Sequence, residues 1–282
     1  MKSIQYNKMH EEINLNNLKN KYKITPKKHL GQNFIFDQNI LNKIISNILP
    51  IKNFNIIEIG PGPGGLTLAI LKNKPKKIVL IEKDSSFCGI INNILSEYKH
   101  IESNLIIGDF LDFSLEKYIN SNTKIVSNLP YYLSTQILLK VLPLNNGIKE
   151  VMFTFQKEVA DRIISQPNSK NYSRLSVIVQ SVCDIQKKQK LPAEIFYPIP
   201  KVSSTVLTFV RRKNIIINNF KSLEELTKLA FNKRRKSIKN SLRNIGNISH
   251  FLKELNIEDK LRPEQISVDQ FCELANLIYN FK

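Results

Sequence analysis

Apolar residues in the first two thirds of the chain form short continuous runs that alternate with segments of helical spacing. The runs at 55–59, 78–82, 104–107, 124–127 and 151–155 are typical of buried strands. Helical spacing predicts a helix between Asp37, a good N-cap residue, and Pro50, a second helix after Gly65, and others near 86–98, 134–141 and 157–164. Strand and helix in this rhythm indicate an α/β fold whose parallel sheet is covered on both faces.

The later part of the chain has a different pattern. From residue 177 the alternation loosens, and an apolar run at 202–210, after a proline-rich stretch, predicts one late strand. Helical spacing then continues from about 222 to 279, so a domain boundary is predicted at 211–219. Residues 1–25 are polar and weakly patterned. We therefore expect a flexible arm over 1–25, an α/β catalytic domain over 26–212 and a helical domain over 220–282.

The chain carries 42 Lys and Arg against 24 Asp and Glu, a formal charge of +18. This excess favours a nucleic acid or an anionic membrane surface as partner, although a lysine-rich composition with a merely solvated charge gives the same balance. No run of 18 apolar residues suggests a membrane span, and the first residues lack the apolar stretch of a secretory signal. Cys88, Cys183 and Cys272 are far apart and the four histidines are scattered, so we expect a cytoplasmic protein with reduced cysteines and no metal site.

Polar residues stand at the ends of successive predicted strands. Glycines at 60, 62, 64 and 65 follow the first strand and open a helix, which lets a ligand approach the backbone closely. Their spacing differs from the Gly-x-Gly-x-x-Gly of nicotinamide-binding folds. Glu82 ends the second strand and can accept hydrogen bonds from ribose hydroxyls, while Asp109, with Asp112 as its competitor, can accept from an adenine amine. Because carboxyl ends of parallel strands meet at one edge, Gly60, Glu82, Asp109 and Asn128 are predicted to share a crevice.

The tetrapeptide Asn128-Leu129-Pro130-Tyr131 follows the fourth strand. An amide, a proline-locked backbone and an aromatic ring together can hold a planar ring that bears an exocyclic amine. Such a segment is also compatible with a simple turn, in which Pro130 ends the strand and Tyr131 fills the core. The crevice predicted from the neighbouring strand ends favours the first interpretation.

These motifs resemble those of the KsgA-type ribosomal RNA adenine N6,N6-dimethyltransferases. The resemblance extends from about residue 26 to 279. It rests on KHLGQNF at 28–34, EIGPG at 58–62, NLPY at 128–131, QKEV at 156–159, PNSK at 167–170, YSRLSV at 172–177, PKV at 200–202, FNKRRK at 231–236 and RPEQIS at 262–267. It implies S-adenosylmethionine as methyl donor and a Rossmann-like, seven-stranded methyltransferase sheet with a small all-helical C-terminal domain.

The resemblance also implies the site residues. The cofactor contacts would be Asn33, Ile35, Gly60, Glu82, Asp109 and Asn128. Ile35 stands where the family often has Leu, and its contact is expected through the backbone. Phe196 matches the position that closes on the target base opposite Tyr131, which suits a base taken out of its stack.

The expected chemistry at the tetrapeptide is orientation of a poorly nucleophilic amine. The side-chain oxygen of Asn128 and the carbonyl of Leu129 can each accept one N–H, so that the nitrogen becomes pyramidal and its lone pair is freed. Pro130 fixes the turn and removes a competing donor. The substrate that the resemblance implies is a pair of adjacent adenines near the 3′ end of small-subunit ribosomal RNA, in a partly assembled subunit.

A cluster of cations near the C-terminus is a candidate RNA-binding surface. The helical spacing of 235–246 places Ile238, Leu242 and Ile245 toward the core, with Gly246 as the C-cap. Although such a run is often only a solvated face, the net charge favours phosphate contacts here. The predicted RNA-binding residues are Lys233, Arg234, Arg235, Lys236, Lys239 and Arg243.

Three alternatives remain open at this stage. The first is a methyltransferase that acts on large-subunit ribosomal RNA, which the segments 231–236 and 262–267 disfavour. The second is a DNA or protein-glutamine methyltransferase, which more often carries a second proline where Leu129 stands. The third is a non-catalytic nucleic-acid-binding or ribosome-assembly protein, which has no need of Gly60, Glu82 and Asn128. We expect a cytoplasmic, monomeric enzyme.

Overall fold

Seven strands form one twisted sheet in the computed structural model, which describes residues 15–232 and 235–280. Two further strands, β1 and β8, form a separate pair. In chain order the strands are β1 (Phe34–Ile35), β2 (Asn55–Ile59), β3 (Lys77–Glu82), β4 (Glu102–Ile107), β5 (Thr123–Ser127), β6 (Ile148–Gln156), β7 (Cys183–Leu191), β8 (Phe196–Tyr197) and β9 (Ser204–Arg211). The order in the large sheet is β4-β3-β2-β5-β6-β9-β7, with β9 antiparallel to both its neighbours and the other neighbouring pairs parallel.

Helices cover both faces of this sheet. They are α1 (Leu15–Lys21), α2 (Gln38–Ser46), α3 (Gly65–Lys72), α4 (Cys88–Glu97), α5 (Ser134–Val141), α6 (Lys157–Ile164), α7 (Arg174–Val182), α8 (Phe220–Phe231), α9 (Ile238–Ser241), α10 (Ile248–Glu254) and α11 (Val268–Asn280). Because side chains alternate along a strand, Ile56 of β2 packs in one core while Ile57 and Ile59 pack in the other. These layers confirm the predicted α/β class, the seven-stranded sheet and the C-terminal helices.

The C-terminal helices share a core with one face of the sheet. Tyr172, fully buried before α7, donates its hydroxyl hydrogen to the carbonyl of Ile266 at 3.0 Å and packs its ring against Phe231. The last strand ends at Arg211 and α8 begins at Phe220, so the change from sheet to helices falls in the predicted break at 211–219. The division into separate domains stays a prediction, since the two parts are packed together.

Most elements before α7 lie where the apolar pattern places them. β2, α5 and α6 match the predicted bounds, and the Asp37 side chain caps α2 by accepting from two backbone N–H groups. The N-terminal arm differs from its prediction. The side chains of Leu15, Leu18 and Ile24 are buried, so the expectation of a flexible arm was wrong for residues 15–25. Residues 1–14 of that predicted arm lie outside the described residues.

Candidate active site

A cleft lies at the carboxyl edge of the sheet, where β2 to β5 end. Such an edge is where parallel sheets bind their ligands. The residues predicted from sequence as cofactor contacts all line it, namely Asn33, Ile35, Gly60, Glu82, Asp109 and Asn128. The structure therefore brings together four strand ends and the segment around β1, as the parallel topology requires.

The glycine-rich turn after β2 forms one wall of the cleft. Gly60 and Gly62 have φ angles of 65° and 55°, a conformation that other residues adopt at a cost. A Cβ atom on Gly62 would lie 2.8 Å from the ring of Phe34, so the turn also has no room for a side chain there. The Gly62 N–H donates to the Oε2 atom of Glu82 at 2.8 Å, which fixes the turn against the end of β3.

Glu82 lies buried at the end of β3 with its carboxylate in the cleft wall. Its Oε1 atom accepts the N–H of Asp84 at 2.7 Å, while Oε2 accepts that of Gly62. Burial raises the pKa of Glu82, and these two backbone donors oppose the rise. Each carboxylate oxygen has two lone pairs, so both can still accept hydrogen bonds from a vicinal diol such as ribose.

Asp109 follows β4 and also lines the cleft. Lys83 approaches its Oδ2 atom at 2.7 Å, and the Leu111 N–H donates to Oδ1 at 2.9 Å. The hydrogen bond from Lys83 is the main cause that lowers the pKa of Asp109, so this carboxylate is ionised at neutral pH and can accept from an amine. Asp112, its competitor in the sequence, is exposed one turn further on.

The side-chain amide of Asn128 is oriented by the backbone of the β1 region. Its Nδ2 atom donates to the carbonyl oxygen of Asn33 at 3.0 Å, and the Asn33 side chain in turn donates to the carbonyl of Gly31. Because an amide has donors on nitrogen only, this bond directs the Oδ1 atom of Asn128 as an acceptor at the cleft wall. Pro130 lines the same wall, two residues further on.

Tyr131 and Phe196 are neighbours, but they do not flank an open gap. Their ring centroids lie 6.5 Å apart at an interplanar angle of 71°, and Phe196 is buried. The Tyr131 hydroxyl is hydrogen-bonded to Ser204 at 2.7 Å. Leu129 is also buried, and the lining of the cleft includes none of Leu129, Tyr131 and Phe196. The roles of these three residues, including the two-sided base sandwich, stay predictions.

Sequence reasoning missed several residues that line this cleft, among them Tyr132 and Glu58. Tyr132 is 54% exposed at its mouth, and its ring lies so close to Gly31 that a Cβ there would be 2.8 Å away. Glu58, inside β2, is 1% exposed and accepts a hydrogen bond from the Thr67 hydroxyl at 2.7 Å. Burial, with a smaller contribution from nearby Glu82, raises the pKa of Glu58 to about 8. The motif EIGPG indicated that Glu58 belongs to the site, but strand periodicity alone did not predict that its side chain is buried.

The predicted RNA-binding cations are exposed where the structure describes them. Arg235, Lys236 and Arg243 point to solvent, and Lys239 pairs with Asp259 at 2.6 Å. Lys233 and Arg234 lie outside the described residues.

The helix in this region is shorter than predicted. Ile238 and Leu242 are buried as predicted, but α9 ends at Ser241. The prediction of Gly246 as a C-cap was wrong, because the chain turns before it and enters α10 after Asn247.

Among residues 15–232 and 235–280, no group of three or more His, Cys, Asp and Glu side chains could hold a metal ion. No helix in this part of the chain is long and apolar enough to cross a membrane.

The fold and the cleft define a class of protein, the Rossmann-like enzymes that bind a nucleoside cofactor at the carboxyl edge of a parallel sheet. The glycine turn and the carboxylates after β3 and β4 fit a ribose and an adenine amine. The family model for ribosomal RNA adenine dimethylases matches residues 24–280, and the chain belongs to that family.

Named relatives and solved structures agree with this family. The chain is 43% identical over 259 residues to ribosomal RNA small subunit methyltransferase A of Ehrlichia ruminantium, covering 91% of this chain and 98% of that protein. It is 40% identical over 266 residues to the protein of the same name from Wolbachia pipientis wMel, covering 93% and 92%. A dimethyladenosine transferase from Plasmodium falciparum has the same fold, with a TM-score of 0.75 at 22% identity over 88% of this chain and 98% of that one. The 23S rRNA methyltransferase ErmE also shares the fold, with a TM-score of 0.66 at 20% identity over 87% and 99%.

Proposed function

We propose that this protein transfers methyl groups from S-adenosylmethionine to N6 of two adjacent adenines near the 3′ end of small-subunit ribosomal RNA. The observation that carries the proposal is the Asn128 amide, which lines the cleft and donates to the Asn33 carbonyl, so that its oxygen remains as an acceptor. Family membership and the relatives at 38–43% identity support the small-subunit substrate over the large-subunit alternative. The product is N6,N6-dimethyladenine.

The residues that would hold the cofactor are those of the cleft. Glu82 would accept from the ribose hydroxyls, Asp109 would accept from the adenine amine, and the glycine turn would allow the cofactor to approach the backbone. When bound, S-adenosylmethionine supplies an electrophilic methyl group on a positively charged sulfur. Methyl transfer therefore needs positioning of the amine more than it needs a strong base.

The protein's contribution at the reacting nitrogen is electrostatic and geometric. The Oδ1 atom of Asn128 and the carbonyl of Leu129 accept the two N–H groups of the adenine amine, which withdraws its lone pair from the ring. Pro130 holds the turn at φ −59° and offers no N–H that would compete for these acceptors. After transfer the nitrogen is acidic enough to lose its proton to water. A second transfer requires the remaining N–H to face one of the same two acceptors.

The proposal also covers the RNA partner, the oligomeric state and the cellular location of the enzyme. The net charge of +18 and the exposed cations of the C-terminal part support binding to RNA in a partly assembled small subunit. We propose a monomer that works in the cytoplasm, where small subunits are assembled. A non-catalytic assembly protein is disfavoured, because an RNA-binding surface alone has no use for Glu82 and Asn128 in one cleft.

The test of the proposed function is a map of methylated nucleotides. Small ribosomal subunits that lack the modification are incubated with the protein and S-adenosylmethionine labelled in its methyl group. We expect label on two neighbouring adenines near the 3′ end of the small-subunit RNA, and stops of reverse transcriptase at both. Label confined to large-subunit RNA, or tight RNA binding without any label, would contradict the proposal.

A second prediction concerns the RNA-binding surface. If about six cations engage phosphates, the logarithm of the binding constant should fall against the logarithm of salt concentration with a slope of roughly −4 to −5. Lys236→Ala and Arg243→Ala should each reduce that slope by about 0.7–0.9. Lys76→Ala is the control, because Lys76 is exposed at the amino edge of the sheet, before β3. A slope near zero in the unmodified protein would remove these residues from the RNA interface.

A further inference from the structure

The segment 27–33, termed the roof segment below, borders the cofactor cleft from outside the sheet. It contains a 3₁₀ turn, Lys28–Leu30, which ends at Gly31 with a φ of 62°. Leu30 to Asn33 line the cleft. The roof segment precedes β1, so its own backbone has no strand partner to hold it. Its position must therefore depend on side-chain contacts.

Those contacts converge on Asp84, the second residue after β3. Lys27 Nζ lies 2.8 Å from Oδ1 of Asp84, and Gln32 Nε2 donates to Oδ2 at 2.9 Å. The Ser86 hydroxyl donates to Oδ1 at 2.6 Å. The backbone N–H of Lys27 also donates to Oε1 of Gln32 at 2.8 Å, so the two residues that contact Asp84 are bonded to each other. We term Asp84, Lys27, Gln32 and Ser86 the Asp84 cluster.

The Asp84 cluster is joined to both halves of the candidate active site. The Asp84 N–H donates to Oε1 of Glu82, the carboxylate assigned to the ribose. At the other end of the roof segment, the residue after Gln32 is Asn33, whose carbonyl accepts from the Asn128 amide. One buried carboxylate thus connects the cofactor-binding wall to the group that orients the substrate amine.

The charge of Asp84 suits this role. Burial of its side chain, which is 3% exposed, would raise the pKa, but the donors from Lys27, Ser86 and Gln32 outweigh burial and lower the pKa to about 2. Asp84 is therefore a carboxylate throughout the neutral range. Hydrogen bonds to a buried charged group are stronger than neutral ones, which favours a closed roof segment at rest.

We propose that Asp84, Lys27 and Gln32 are positioning residues that hold the roof segment closed beside bound S-adenosylmethionine and keep the Asn33 carbonyl on Asn128. The inference rests on the proposed function, because it assigns the cleft to that cofactor. Release of the cofactor then requires these side-chain bonds to break, as for other closing segments over ligands. A merely structural cluster would stabilise the fold without changing the lifetime of the bound cofactor.

The experiment measures cofactor dissociation from Lys27→Met and Asp84→Asn, with no RNA present. We expect the dissociation rate of labelled S-adenosylmethionine to rise about tenfold or more in each variant, as expected for loss of one hydrogen bond to a charged group. Lys27→Arg should restore a rate near that of the unmodified protein, since it keeps the cation. The backbone amides of Leu30 and Gly31 should exchange hydrogen faster in both variants.

A matched control separates positioning from general stability. Lys157→Met breaks a more exposed ion pair of similar length on α6, where Lys157 lies 2.7 Å from Asp161. It should leave cofactor dissociation unchanged. Lys27 is an exposed residue, so Lys27→Met should fold even if Asp84→Asn does not. The double variant should add little to either single change, because both break the same contact.

The outcomes distinguish the inference from the proposed function. Suppose that the unmodified protein binds S-adenosylmethionine, and that the Lys27→Met and Asp84→Asn variants fold and release it at the same rate as the unmodified protein. The positioning role is then wrong, while the proposed function stands. If the unmodified protein binds no S-adenosylmethionine at all, both are wrong. A KM for cofactor that rises with little change in kcat would support closure, and a fall in kcat as well would support the link to Asn128.

Discussion

Asn128→Ala should reduce methyl transfer by at least about 10²–10³-fold, the usual loss when one oriented group that stabilises a transition state is removed. The alanine keeps the backbone turn, which Pro130 fixes, but removes the oxygen that accepts an N–H of the adenine amine. It also frees the Asn33 carbonyl from its 3.0 Å hydrogen bond. Rate measurements at saturating cofactor and RNA test this, since binding defects then contribute little.

Asn128→Asp separates the two functions of the amide. The aspartate keeps an acceptor at the cleft but lacks the N–H that donates to Asn33, so its carboxylate meets a carbonyl oxygen instead of a partner. We expect a comparable loss of rate, while RNA affinity stays within about twofold in both variants. Near-normal turnover in either variant would contradict the proposed orientation of the amine. Asn128 also lines the cofactor cleft, so cofactor affinity is measured in parallel.

The central elements of the fold could be predicted because each has a strong local pattern. β2, α5 and α6 have continuous apolar runs or clear helical spacing, and residues that begin or end an element flank them. Their predicted bounds were correct. α7 and β7 were both missed, and the composition of β7 explains why it was. β7 is an edge strand, and the run Cys183–Leu191 exposes most of its polar side chains, so no apolar alternation marks it.

Very short elements, and elements held by contacts between distant residues, also could not be predicted from local sequence patterns. β1 and β8 are two residues each, and they exist because Phe34 pairs with Tyr197 across more than half the chain. α1 was assigned to a flexible arm because its polar residues outnumber the apolar ones. Only the packing of Leu15 and Leu18 on the core around α2 and α3 shows that it is held. Such elements depend on tertiary contacts that periodicity does not report.

The candidate site likewise contains some features that the sequence predicts and others that it does not. Gly60, Glu82, Asp109 and Asn128 could be predicted, because a parallel sheet brings strand ends to one edge whatever the details of the fold. The contact between Lys27 and Asp84 could not, since these residues are 57 positions apart and neither belongs to a strand. The edge-to-face contact of Tyr131 with Phe196 also depends on side-chain rotamers, which sequence does not determine.

The second large effect is expected for the pH dependence of stability, through Glu58. Its pKa is about 8 in the folded protein against an ordinary value of 4.5. Between these pH values the unfolded chain binds fewer protons at this residue, so the free energy of unfolding falls as pH rises. The fall is about 1.4 kcal/mol per pH unit, on the order of 3–5 kcal/mol in total. Well below pH 4.5 the Glu58 carboxyl is neutral in the folded and the unfolded protein, so Glu58 no longer makes stability depend on pH.

Glu58→Gln should abolish this contribution, because glutamine does not titrate yet keeps an oxygen that can accept from Thr67. Denaturant unfolding without cofactor is measured at pH 5 and at pH 8.5 for both proteins. The variant should be close to the unmodified protein at pH 5 and several kcal/mol more stable at pH 8.5. Glu273→Gln, on an exposed residue of α11, is the control for a change of net charge. Equal differences in unfolding free energy at the two pH values would show that Glu58 is ionised in the folded protein.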